Sequence, residues 1–140
     1  MSIDDEVSQL QRSPIFANVE RSRLKLLALN AESALFSAGD AIIQMGGPPD
    51  AIYVVLTGKV GIPNGDIEIG HLVGLVGGLL RRPHAVSVHA QTAVHALRLP
   101  ISVFMELMEH CPQTALAVMR ELARRLNDAM RVALAVEVTS

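Results

Sequence analysis

Between Ala34 and Pro63 the chain leaves no room for a helix, because turns cut every apolar run before it can complete a few helical turns. Ser37-Ala38-Gly39-Asp40, Gly46-Gly47-Pro48-Pro49-Asp50 and Thr57-Gly58-Lys59 are built from residues that favour turns and positive φ. Between them lie Ala41-Ile42-Ile43 and Ile52-Tyr53-Val54-Val55-Leu56, rich in β-branched and aromatic side chains. Asn64-Gly65 adds a hairpin signal that leads into the alternating Ile67-Glu68-Ile69. Many short strands joined by tight turns predict antiparallel sheets closed on one another, as in a jelly roll or a small barrel.

The flanks follow a different period. Up to about Asn30 the apolar positions Val7, Leu10 and Ile15, then Val19, Leu24, Leu26, Leu27 and Leu29, predict helices interrupted at Ser13-Pro14. The segment from Val73 to Pro83 holds too many glycines for a long helix and reads as a short one inside the strands. Ala85–Ala90 and Val94–Leu99 alternate and predict two more strands. Pro100 marks a helix start, with Ser102 as N-cap of a short helix through Glu109. After Pro112 a long helix runs from Thr114 to about Val136, on the order of 35 Å at 1.5 Å per residue.

The expected fold is therefore mainly β with flanking α-helices, a jelly roll or double-stranded β-helix in one domain spanning 1–140. Its parts are N-terminal helices (1–30), a β-roll (31–100) with a cassette at 73–88, and C-terminal helices (101–138). A chain of 140 residues suffices for one hydrophobic core and is too short for two. With 50% apolar residues but no Trp, one Tyr and three Phe, that core is built from Ala, Leu, Val and Ile.

The formal charge of −2 is spread along the chain and gives no basic patch for nucleic acid or membrane. The first residues, Met-Ser-Ile-Asp-Asp-Glu, are acidic where a signal peptide is basic. The uncharged run from Ile69 to Leu80 is too short and glycine-rich to span a bilayer. The single cysteine, Cys111, excludes an internal disulfide. These features predict a cytoplasmic protein without a membrane anchor.

Two motif regions resemble the cyclic nucleotide-binding domain of bacterial catabolite activator proteins and of the regulatory subunits of cAMP-dependent protein kinase. The first is Ile42 to Gly58, with hydrophobics, glycine, aspartate, further hydrophobics and glycine in register; Gly47 and Pro49 depart from the usual turn residues, a change expected to touch the turn alone. The second is the phosphate-binding cassette, which in the family reads Gly-Glu-Leu-Ala, a spacer, then Pro-Arg and small residues. Here it reads Gly74-Leu75-Val76-Gly77, a spacer from Gly78 to Arg82, then Pro83-His84-Ala85. The resemblance assigns ligand binding to Gly74, Leu75, Val76, Gly77, His84 and Ala85, with Leu75 where the family has glutamate and His84 where it has arginine.

That pair of changes carries a quantitative expectation. A missing arginine forfeits a charged hydrogen bond of roughly 1.5–3 kcal/mol, and leucine leaves a buried ribose hydroxyl unpaired at a further cost of about 1–3 kcal/mol. If the two add, micromolar binding of cAMP or cGMP moves towards millimolar. Arg81 or Arg82 could restore a phosphate contact by swinging inward, although their place on the spacer favours exposure. His84 could do so if protonated, but an unperturbed histidine is mostly neutral at pH 7. Leu75, Val76 and Val86 could also line a more apolar cavity for a different ligand.

The remaining features give no catalytic or metal site. His71, His84, His89, His95 and His110 lack a converging ligand spacing, and Cys111 completes none. Ser87 has no nucleophile-elbow context, and Asp4, Asp5 and Glu6 read as the solvated start of a helix. The sequence thus predicts no enzyme, no metal and no cofactor beyond a weakly held cyclic nucleotide. Along the last helix Leu116, Met119, Ala123, Leu126, Met130 and Ala133 form one apolar stripe, with Arg120, Glu121, Arg124, Arg125, Asp128 and Arg131 on the rest of the surface. The stripe either packs on the barrel or forms a homodimer seam, and the helix length favours the seam. In DNA-binding relatives a helix-turn-helix follows such a helix; the sequence ends at Ser140, so no DNA binding by this chain alone is expected. The predicted role is a regulatory sensor with a protein partner or, alternatively, a ligand-free interaction scaffold.

Overall fold

The computed structural model describes residues 2–62 and 72–139, with side chains described as far as Ala135. The expected Asn64-Gly65 hairpin, the strand at Ile67–Ile69 and His71 lie outside the described residues. Two helices, α1 (Ile3–Arg12) and α2 (Arg21–Leu29), precede the strands. The strands are β1 (Glu32–Phe36), β2 (Ala41–Ile43), β3 (Ala51–Thr57), β4 (Val60–Gly61), β5 (Leu72–Val73), β6 (Val88–Ala90) and β7 (Val94–Pro100). A short helix α3 (Leu75–Leu80) sits between β5 and β6, and α4 (Ile101–His110) and α5 (Pro112–Thr139) close the fold.

The strands form two antiparallel sheets that face each other, one ordered β1-β7-β3-β5 and the other β2-β6-β4. This is the mainly β roll with flanking helices that the turn pattern predicts. The central strands β3 and β7 of the four-stranded sheet are buried on both faces, which explains why they read as near-continuous apolar runs, whereas β1 at its side is largely exposed. Ile52, Val54, Leu72, Leu97 and Leu99 face the helices, where they join Phe16, Leu24 and Phe104 in one core. Val55, Val73, Val94 and Ala96 face the second sheet and pack with Ile42, Ile43, Val60, Val88 and Ala90. Phe36 and Tyr53 close the side of this inner cluster in a T-shaped contact, their centroids 5.9 Å apart.

Local chemistry accounts for the ends of the elements. Ser2 caps α1 by accepting the Asp5 N–H at 3.2 Å, and Asp5 returns the favour by accepting the Ser2 N–H. These bonds hold the Asp5 carboxyl below its usual range, with the Ser2 backbone bond the larger cause. At the Ser37–Asp40 turn, Gly39 takes φ +93° and Asp40 accepts the Ser37 N–H at 2.8 Å.

Four expectations need correction. The helix α4 begins at Ile101 with Pro100 at its cap, so Ser102 lies inside the first turn and makes no cap bond; the fixed φ of Pro100 at −52° turns the chain directly from β7 into the helix. Ala85–Ser87 are outside β6, which starts only at Val88, because the cassette's return leg occupies them. Leu26 and Leu29 are exposed although the stripe of α2 included them; only Leu24, Leu27 and Ala28 turn inward. Glu6 is buried, not solvated, because α1 packs on the sheet and turns its third acid towards His95.

Candidate functional site

The cassette is a loop whose ends are pinned by the two sheets. β5 enters from the four-stranded sheet, Gly74 turns the chain with φ +87°, and α3 follows for six residues. Arg81 ends the helix in the left-handed region (φ 54°, ψ 44°), a conformation usually given to glycine. The Arg82 N–H donates to the Gly77 carbonyl at 3.1 Å, which folds the spacer back on the helix. His84 then pairs with the Gly46–Gly47 turn: the Gly46 N–H donates to the His84 carbonyl at 2.7 Å, and the His84 N–H donates to the Gly47 carbonyl at 3.1 Å. Ser87 Oγ accepts the Met45 N–H at 2.8 Å and completes the seam. The changes at this turn therefore do not touch the turn alone, as the sequence suggested; Gly47 is a direct partner of the cassette.

Each predicted site residue has a definite place. Leu75 is only 1% exposed and belongs to the helix-side core with Ile52, Leu72 and Leu99, so it does not line the barrel interior. Strand parity explains this, since Leu72 faces the helices, Val73 the interior, and the turn at Gly74 returns Leu75 to the helix side. Val76 and Val86 are exposed, as are Ala85, Arg81 and Arg82. Neither arginine turns inward, and neither makes an ion pair or a side-chain hydrogen bond with the described residues. His84 is buried at 6% exposure. Its ring lies against two glycines: a Cβ at Gly77 would fall 2.6 Å from His84 Nδ1, and one at Gly74 would fall 3.3 Å from Cε1.

Three features had no sequence signal. His95 Nε2 is 2.6 Å from Ser33 Oγ and 3.7 Å from Glu6 Oε2, a polar cluster between α1 and the sheet in which Glu6 and His95 are buried and Ser33 is exposed. Both oxygens meet the same ring nitrogen, so the group is not a nucleophile–base–acid relay. On α5, Arg125 Nη2 donates to the Leu72 carbonyl at 2.6 Å and its Nε donates to Glu121 Oε1 at 3.2 Å. This ties the long helix to the strand that runs into the cassette. Elsewhere a groove of about 530 Å³ opens between α2 and α4, lined by Arg23, Leu26, Val103, Glu106 and His110; it lies on the helical layer.

The comparisons with known proteins meet this geometry at the strands and the cassette together. The model of the cyclic nucleotide-binding domain matches residues 34–111, more than half of the chain. The chain belongs to that family. Among curated proteins it is similar to Glutaminase 1 of Bradyrhizobium diazoefficiens, with 28% identity over 94% of this chain and 22% of the enzyme. The chain thus spans about a fifth of the length of such relatives. Among solved structures, the cAMP-binding acyltransferase from Mycobacterium smegmatis superposes with a TM-score of 0.74 at 20% identity, over 90% of this chain and 42% of that one. The catabolite activator protein of Thermus thermophilus superposes with a TM-score of 0.68 at 25% identity, over 87% and 62%. Among the described residues no helix is long and apolar enough to cross a membrane, and no group of three His, Cys, Asp or Glu side chains is placed to hold a metal ion.

Proposed function

We propose that this domain is a non-catalytic regulatory module of the cyclic nucleotide-binding type whose own affinity for cAMP and cGMP is weak or nil. The observation that carries this reading is the content of the cassette. Its backbone turn and short helix are in place, but the two side chains that would hold ribose and phosphate are not. Leu75 is buried in the helix-side core, and His84 is folded against Gly74 and Gly77. The loss of a charged hydrogen bond and of a ribose partner costs roughly 2.5–6 kcal/mol if the two effects add. Arg81 and Arg82 are exposed and supply no replacement.

A signal from the cassette has a physical route outwards. Arg125 links α5 to the carbonyl of Leu72, two residues before Gly74, so a shift of the cassette and a shift of the long helix are coupled. The α5 face towards the domain is formed by Thr114, Val118 and the partly buried Leu122 and Arg125, while Leu116, Met119, Ala123, Leu126, Met130 and Ala133 are all exposed. An exposed apolar stripe of this length supports a homodimer formed through α5 in preference to packing on the barrel. The same stripe favours the second reading, a dimerisation or protein-interaction scaffold that needs no small ligand.

Calorimetric titration with cAMP and cGMP up to millimolar concentration separates the readings. Saturable binding tighter than about 10 μM, roughly −7 kcal/mol, overturns the weak-binding proposal. Absence of heat supports it. Sedimentation of the wild type and of a Leu126→Glu variant tests the seam: a dimer that the charge dissociates is expected, and a monomeric wild type at micromolar concentration refutes it.

A further inference from the structure

The cassette contains a contact that its own sequence makes necessary. Gly77 stands in α3 at a position where alanine is the better helix former. Its backbone is not in the left-handed region, so conformation does not demand glycine there. Space does, since a Cβ at Gly77 would lie 2.6 Å from His84 Nδ1 and 3.1 Å from His84 Cε1, well inside van der Waals contact. At Gly74, Cε1 of the same ring would stand 3.3 Å from an added Cβ. At Gly47 the ring edge, Cδ2, would stand 3.9 Å away. Three glycines from two separate segments therefore surround one imidazole, and the backbone of His84 is locked to the Gly46–Gly47 turn on both its N–H and its carbonyl.

We infer that His84 is a built-in occupant of the cassette: its imidazole fills the notch between Gly74 and Gly77 and holds the segment closed with no nucleotide present. The side chain is a positioning residue and a specificity determinant, since an added ligand would have to displace a ring already packed in place. Gly77 is its obligatory companion. This inference rests on the reading of residues 74–88 as the cassette, and it deepens that reading by naming what closes it.

The test is a double-mutant cycle in thermal unfolding, with Gly77→Ala made in the wild type and in His84→Ala. In the wild type, Gly77→Ala should lower the melting temperature by about 3–10 °C, the usual range for forced overpacking. In His84→Ala the same change should be neutral or raise it, because the clash is gone and helix propensity remains; only the 3.1 Å approach to the Arg82 carbonyl persists. Free imidazole at tens of millimolar, at about pH 8 where it is neutral, should raise the melting temperature of His84→Ala by about 2–5 °C and leave the wild type unchanged. An equal loss from Gly77→Ala in both backgrounds, with no imidazole effect, overturns the inference. If His84→Ala does not fold, proton NMR of the wild type decides: cross-relaxation between the His84 ring and the Gly74 and Gly77 α-protons is expected, and its absence sinks the proposal. None of these readouts involves nucleotide. Tight cAMP binding beside an intact cycle would therefore refute the weak-binding function alone, and a lost cycle with no cAMP binding would refute His84 alone.

Discussion

The two faces of the four-stranded sheet bury different kinds of side chain. Against the helices it presents Ile52, Val54, Leu72, Leu97 and Leu99 to large partners, Phe16, Leu24 and Phe104 among them, each at most 1% exposed. Against the second sheet the buried set is smaller and shorter: Ile42, Ile43, Val55, Val60, Val73, Val88, Ala90, Val94 and Ala96. Large side chains that reach across the helix–sheet interface carry most of the burial, while the shorter ones of the inner face, packed against one another, carry less. The cassette bridges the two, placing Leu75 in the first core and closing on His84 beside the second sheet's turn.

The largest effect that tests this contrast comes from truncating one side chain on each face. On strand β7, Leu97→Ala on the helix face should cost about 2–5 kcal/mol, whereas Val94→Ala on the inner face should cost about 1.5–3 kcal/mol. Urea unfolding of both variants measures this, and losses of similar size would erase the distinction between the faces. Next in size is the polar cluster that fastens α1 to the helix face. His95→Ala removes the partner 2.6 Å from Ser33 Oγ and leaves the buried Glu6 facing a void. A loss of about 1–3 kcal/mol is expected, and His95→Ala as stable as the wild type would show that the cluster is dispensable.

How much of this was legible follows from the kind of signal each part leaves. Turn residues at Ser37–Asp40, Gly46–Asp50 and Thr57–Lys59, with β-branched runs between them, place the strands because backbone chemistry acts locally, whereas the order of the strands in the sheets depends on distant pairings. The short cassette helix and the break at Ser13-Pro14 are read from the same local rules. The facing of α5 was not legible: its apolar stripe fitted either packing on the barrel or a dimer seam, and Arg125 and Glu121, read as surface residues, turn towards the domain while Leu116, Met119 and Leu126 turn away. A helical period shows that two faces exist and cannot say which one meets the rest of the chain. In the cassette the sequence located Leu75 and His84 but not their contents. Burial of Leu75 depends on strand parity through Gly74, and the notch around His84 brings Gly74 and Gly77 together with Gly47 of a separate turn. Glu6, Ser33 and His95 meet only through tertiary packing and left no pattern at all.

Arg125 joins the helix face to the cassette, so its removal tests whether the two regions communicate. Arg125→Met keeps the apolar stem and deletes the donor to Leu72. Leu72 is fully buried, so the lost bond leaves its carbonyl without that donor. With a quarter of the arginine side chain exposed, the cost should be about 1–2 kcal/mol. Amide exchange should quicken at Gly78, whose N–H bonds to Gly74, more than at strands β1 and β7. Uniform acceleration across the domain would mean that the bond contributes stability without linking α5 to the cassette.

The smallest effect has the opposite sign. Arg81 occupies φ 54° and ψ 44°, where a side chain is crowded against its own carbonyl and costs about 1–2 kcal/mol. Glycine would remove that strain but adds roughly 0.5–1 kcal/mol of backbone entropy to the unfolded chain. The balance favours Arg81→Gly by about 0.5–1 kcal/mol, a rise of a few degrees in melting temperature. The bonds that end α3 through the Gly77 carbonyl use only backbone atoms, so the substitution leaves them in place. If the variant is instead less stable, the exposed arginine makes a stabilising contact that the cassette relies on, and the contrast between a side-chain-packed helix face and a backbone-held cassette fails at this residue.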